Sequence, residues 1–217
     1  MRKSDLKKAL LYLKKNLDLD AELELSIDQL VDKVEELKMS GPEISTGEGL
    51  GLPPEFSDFT NPIGLFTDGA CRGNPGPGAW AAVLQENDKE FVFEMAGHEE
   101  ETTNNRMELD AVISGLKEIL ILEEENRLSM KDRDLLVFSD SKYVLDGIQK
   151  WTKGWKARGW KKADGKPPEN LSRWMELDIL VSDFDSIHFF WVKGHAGHPQ
   201  NEYVDLLANK ELDEQGF

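Results

Sequence analysis

The sequence has a single cysteine, Cys71, in 217 residues. No internal disulfide can form, and such usage fits a reducing compartment. Basic residues are also few, with 26 Lys+Arg against 42 Asp+Glu and a net charge of −16. Phosphate binding usually shows as a basic excess, so composition alone argues against a nucleic-acid partner. No apolar run approaches the roughly 20 residues of a membrane span. The start, MRKSDLKKALLYLKKNL, alternates Lys with Leu instead of forming the continuous apolar core of a secretory signal. A cytoplasmic location is therefore expected. What is present, 39% hydrophobic and 31% charged residues, describes a globular chain rather than a disordered one.

Residues 1–40 carry two amphipathic patterns, Leu6, Leu10, Leu13 and Leu17, then Ile27, Leu30, Val31, Val34 and Leu37. They predict a helical hairpin, too small to be stable alone, that packs on the main domain, on a second copy or on a partner. Gly41-Pro42 stops the second helix, and the Gly/Pro-rich stretch 41–62 reads as a linker. From residue 63 strands and helices alternate. Ile63–Thr67, Ala79–Gln85 and Glu90–Ala96 predict three antiparallel strands, followed by a helix over 103–122. Leu135–Ser139 and 187–192 predict two more strands, with helices over 141–151, about 170–182 and 201–212. The pattern is α/β, a mixed sheet flanked by helices over 63–212, with a short tail at 213–217.

The informative residues are acids in costly places. Asp68 ends the apolar strand IGLFT and Asp140 ends DLLVFS. Ligands bind at the carboxyl ends of neighbouring strands in such sheets. Glu108 precedes Val112, Leu116 and Ile119 on one helical stripe, and Asp205 lies among Leu206, Leu207 and Ala208. Converging half-buried carboxylates need cations. Taken singly, each acid reads as well as a strand-end or helix-cap residue. The histidine of KGHAGH, His195, reads singly as a surface loop residue.

Together the blocks TDGACRGNPGPGAWA (67–81), TTNNRMEL (102–109), SDSKYV (139–144) and WVKGHAGHPQNEYVDLLA (191–208) resemble the signature blocks of type I ribonuclease H, in order and in interval. The resemblance spans about residues 61–212. It implies a ribonuclease H-like fold with a five-stranded mixed sheet, and a metal-dependent endonuclease that hydrolyses the RNA strand of RNA–DNA hybrids to 5′-phosphate products. It places two divalent ions on Asp68, Glu108, Asp140 and Asp205, with His195 assisting proton transfer or product departure. Oxygen ligands suit Mg²⁺, with Mn²⁺ as a substitute, and argue against zinc. The resemblance also implies substrate contacts from Cys71, Asn74, Asn104 and Asn105 to the RNA strand, and from Thr103 to a DNA phosphate. The GNPGPG stretch is not a P-loop, since no GK[ST] follows. Its plainer role is a hairpin turn, and Thr103 or Asn104 can equally cap a helix.

Charge is unevenly placed. Residues 150–173 hold eight Lys/Arg and two acids, a local +6 that leaves −22 elsewhere, and four of the six tryptophans fall in 151–174. Cations interleaved with aromatics suit a nucleic-acid backbone. Trp151, Lys153, Trp155, Lys156, Arg158, Trp160, Lys161 and Lys162 are the candidate contacts, with packing of the tryptophans expected as well. The resemblance identifies this stretch as a basic handle for the hybrid. Lys142, two residues after Asp140, stands where many bacterial relatives carry Gln, and is a further candidate contact. Residues 1–60 carry a net −5 and no Trp, so they are not expected to bind nucleic acid. Two other readings stay open: a hybrid-binding protein without turnover, and a DNA-directed nuclease of the same fold.

Overall fold

The computed structural model describes residues 50–86, 91–194 and 196–217, together with Lys14, Ser26 and Ile27. The chain divides into two units, Met1–Glu43 and Ile44–Phe217. The helical hairpin expected over 1–40 lies almost wholly outside the described residues; Lys14, Ser26 and Ile27 are helical.

In the second unit five strands form one sheet in the order β3-β2-β1-β4-β5. They are β1 (Pro62–Cys71), β2 (Gly76–Gln85), β3 (Phe91–Thr102), β4 (Asp134–Ser139) and β5 (Ile187–Trp191). β1, β2 and β3 are antiparallel neighbours, whereas β4 and β5 run parallel to β1. Parallel pairing requires a crossover, supplied between β3 and β4 by α1 (Asn104–Glu124). After β4 come α2 (Lys142–Asp146), a π-helical turn Gly147–Trp151, α3 (Thr152–Ala157) and α4 (Leu171–Ser182); α5 (Pro199–Glu214) follows β5.

Strand alternation sorts the core into two layers. Ile63, Leu65, Leu135 and Val137 meet Leu109, Val112 and Leu116 of α1, with Trp174 and Leu177 of α4. Phe66, Leu136 and Phe138 meet Val204 and Ala208 of α5 on the opposite face. With both faces covered, the central strands read as continuous apolar runs, which is why IGLF and LLVF stand out in the sequence.

Three differences from the expected elements have physical causes. β1 runs on to Cys71 because its ladder with β2 continues to the pair Cys71–Gly78, although Asp-Gly-Ala is poor strand sequence. The single helix expected over 141–151 instead runs on to Ala157 and passes through a π-helical turn that begins at Gly147, where a Cβ would come within 1.9 Å of the Trp174 ring. Finally, residues 50–61 are not a free tether. A 3₁₀ turn over Pro54–Asp58 buries Phe56 in the α5-side layer, because Phe56 is apolar and Gly64 leaves room for its ring.

Candidate active site

The register of the sheet assembles the site. The β1–β4 ladder ends at Thr67–Ser139, so the next residues, Asp68 still within β1 and Asp140 just past β4, stand side by side where the two strands part. Glu108 joins them from the second turn of α1. The approach is close because position 69 is glycine: a Cβ there would lie 2.4 Å from the Glu108 amide nitrogen. Carboxylate oxygens of Asp68, Glu108 and Asp140 all lie within 4.8 Å of one another. Asp205, one turn into α5, lines the same open hollow of about 430 Å³.

Like charges held this close resist ionisation. Burial, then the charges of Asp140 and Asp205, push the Asp68 carboxyl up to about 8. Burial, followed by Asp68 and Asp140, drives Glu108 well above the ordinary carboxylate range. Two hydrogen bonds act the other way. The Gly69 amide donates to Asp68 Oδ1 at 2.9 Å, and Asn104 Nδ2 donates to Glu108 Oε1 at 3.3 Å. The second oxygen of Glu108, Oε2, is buried without a hydrogen-bond partner. Arg72, the cation lining the hollow, is held by Asp213 and the Phe217 carbonyl. A cluster of carboxylate oxygens, one of them buried and orphaned, with Asp68 and Glu108 both pushed up by burial and like charge, fits hard divalent cations such as Mg²⁺ or Mn²⁺.

Around the acids, Cys71 lines the hollow, half-buried, with Sγ 2.7 Å from the Gly73 carbonyl. Its thiol is pushed up by burial, which suits a packing group better than a nucleophile. Asn74 is exposed and accepts from the Asn104 amide at 3.3 Å, which joins the β1–β2 turn to the start of α1. Thr103 caps α1 by accepting from the Arg106 amide, and Asn105 is exposed beside it. His195 lies outside the described residues. Its neighbour Gly194 rests against Asp140, where a Cβ would be 2.4 Å from Oδ2.

Asn201, absent from the sequence-based candidates, belongs to this group. It is 4% exposed in the first turn of α5, and its Nδ2 donates to Asp140 Oδ2 at 3.4 Å. The sequence signal was a polar Asn inside HPQNEYV, four residues before Asp205. Trp191 was also missed: 48% exposed, it donates from Nε1 to the Asp140 carbonyl and carries Lys142 Nζ 4.8 Å above its ring.

The basic stretch is a separate region. Lys153, Lys156, Arg158 and Lys161 are exposed and Lys162 is half-buried. Lys156 is already paired with Asp178 at 2.7 Å, and Arg158 Nε donates to the Lys161 carbonyl. Trp151 and Trp160 are half-buried against the core. Trp155 packs, as expected of the tryptophans, but is too buried to be the substrate contact it was also a candidate for. It is 8% exposed, with ring centroids of Trp151 and Trp174 at 5.8 and 5.6 Å, so it packs the element from beneath.

Comparison with known proteins places this geometry. The sequence profile of RNase H matches residues 60–213. A ribonuclease H of Alcanivorax borkumensis is 49% identical over 150 residues, covering 69% of this chain and 91% of the relative. A ribonuclease HI of Caulobacter vibrioides is 49% identical over 154 residues, covering 71% and 95%. The crystal structure of LC9-RNase H1, a type 1 RNase H, superposes with a TM-score of 0.59 at 31% identity over 72% of this chain and 74% of that one. With the five-stranded mixed sheet and the acids at its carboxyl edge, these matches make the chain a member of the ribonuclease H family, of type I.

Proposed function

We propose that the chain hydrolyses the RNA strand of RNA–DNA hybrids by in-line displacement at phosphorus, leaving 5′-phosphate and 3′-hydroxyl ends. The observation that carries this reading is the cluster of Asp68, Glu108 and Asp140 oxygens within 4.8 Å, set in a member of this family. Asp68, Glu108, Asp140 and Asp205 would hold two Mg²⁺ ions, or Mn²⁺ in their place. Bound there, the ions supply an activated water and neutralise the leaving oxygen.

The remaining work falls to the chain. Asp68, by its position in the family pattern, would be the acid shared by both ions. Asn104 orients Glu108, and Asn201 orients Asp140. His195, in the Gly-rich sequence KGHAGH, suits proton transfer or product departure, since an unperturbed imidazole titrates near 6.5. Cys71, Asn74, Asn104 and Asn105 line the approach for the RNA strand, where 2′-hydroxyls distinguish it from DNA. Thr103 takes a phosphate of the DNA strand. Lys142 and the handle cations Lys153, Lys156, Arg158, Lys161 and Lys162 meet the duplex backbone, with Trp151 and Trp160 at their base.

The test is a cleavage assay with end-labelled hybrid, duplex DNA and duplex RNA, with Mg²⁺ and with chelator. Cleavage of the RNA strand of the hybrid alone, only with Mg²⁺, is expected. Binding without cleavage would favour a hybrid-binding role, and comparable cleavage of duplex DNA would favour a DNA-directed nuclease.

A further inference from the structure

Residues 50–59 precede the span matched by the family profile, 60–213, yet they are built into the same unit as the active site. The Gly51 carbonyl accepts from both Gln85 Nε2 and Gln200 Nε2, each at 2.8 Å. Gln200 Nε2 also reaches Gln85 Oε1 at 3.0 Å, and both glutamines are only 2% exposed. Without Gly51, this buried amide pair would lose its acceptor, a costly vacancy in a low-dielectric interior. Phe56, 6% exposed, fills the space over Gly64 and joins Phe66, Phe138, Val204 and Ala208.

These contacts converge on the first turn of α5. Gln200 belongs to that turn, and His198 caps it by accepting from the Asn201 amide at Nδ1, 3.4 Å away. The other imidazole nitrogen, Nε2, is buried without a protein partner, as is Glu55 Oε2 of the 50–59 segment. The Glu55 carboxylate is among the charges that act on His198. The same turn then reaches the catalytic acids twice. Asn201 Nδ2 donates to Asp140 Oδ2 at 3.4 Å, and Asp205 follows at i+4 on the same helix face.

We propose that residues 50–59 are a positioning strap: they fix the first turn of α5, and through it the Asn201–Asp140 hydrogen bond and the Asp205 carboxylate. The inference rests on the reading of the acidic hollow as a metal centre. Partners of metal ligands tune affinity strongly, typically 10–100-fold, because they set ligand orientation. Phe56 and Gly51 act one step further out, so a smaller effect follows.

The test uses the full chain carrying Phe56→Ala, the milder Phe56→Leu, and a control, Leu180→Ala. Leu180 is 8% exposed in the other core layer, on α4, remote from this network. Two quantities are read below the melting point of all variants: the Mg²⁺ binding midpoint by calorimetry without substrate, and amide hydrogen exchange at Asn201 and Glu202 in the metal-free chain. Phe56→Ala is expected to weaken Mg²⁺ binding by about five-fold and Phe56→Leu by about two-fold, with faster exchange at both amides. Leu180→Ala is expected to melt lower while leaving midpoint and exchange unchanged. If the Phe56 variants behave as the control does, the strap is ordinary core packing and the inference falls. A wild-type chain that binds no Mg²⁺ overturns the metal reading instead, and exchange at Asn201 then decides the strap by itself.

Discussion

The acidic hollow and the basic handle both lie in the second unit, Ile44–Phe217, and they treat charge in opposite ways. In the hollow, carboxylates of one sign are buried together, and Glu108 Oε2 has no partner at all. In the handle, cations stand in solvent and several are already occupied, Lys150 by Asp146 and Lys156 by Asp178. The hollow stores electrostatic strain that only added positive charge relieves. The handle stores none, because screened surface charges interact weakly. On the proposed function, chemistry and grip should therefore be separable: the first would depend on metal and pH, the second on salt.

The strongest challenge to that separation is Asp68→Asn. Loss of the Asp68 carboxylate should cost several kcal/mol of transition-state stabilisation, about 10³-fold or more in cleavage. Hybrid affinity, measured by fluorescence anisotropy, should hold or improve, since less negative charge faces the phosphates. Retained cleavage would remove Asp68 from the metal centre.

On the other side, a combined Lys153→Ala, Lys161→Ala, Lys162→Ala variant should bind hybrid about ten-fold more weakly near 0.1 M salt. The slope of log affinity against log salt should fall in magnitude by about 2–3, while turnover at saturating hybrid stays near wild type. A large loss of turnover with intact affinity would merge the two regions into one.

The smallest effect is read in stability. Asp68 titrates near 3.8 when unfolded and at about 8 when folded. Between those values the folded state holds a proton that the unfolded state has released, so stability of the metal-free chain falls as pH rises from about 4 to 8. Glu108 acts in the same direction. Melting curves in chelator should therefore drop across this window, and Mg²⁺ should raise the melting temperature by a few degrees more at pH 8 than at pH 5. A chelated chain more stable at pH 8 than at pH 5 would contradict the buried-acid picture.

Much of this was legible in the sequence, for a physical reason. Strands covered on both faces must be continuously apolar, so an acid at the end of IGLFT or DLLVFS is conspicuous, and the four carboxylates could be named from that and from the blocks around them. Residues 50–61 were illegible because Gly and Pro mark turns whether or not the turn is packed. The anchors, Phe56 over Gly64 and the Gly51 carbonyl between two glutamines, are pairings across the fold that no local pattern encodes. For Trp155 contact and packing both stayed open for a related reason: interleaving with Lys is the same for an aromatic that faces outward and one that faces in. Asn201 escaped because a polar residue in a helix's first turn is ordinary, and its partner Asp140 is 61 positions away.

Gly69 has a consequence for the tolerance of the centre. A side chain at that position would meet the Glu108 amide nitrogen at 2.4 Å and the Met107 carbonyl carbon at 2.7 Å, both main-chain atoms that cannot rotate aside. The gap between the two carboxylate-bearing elements is therefore gauged by backbone thickness alone. Core side chains can repack around a substitution, but a spacer made of main chain cannot. A single added methyl would act as a wedge of about 1 Å between strand and helix, enough to spoil the bite of the acids on anything they hold while leaving every acid in place.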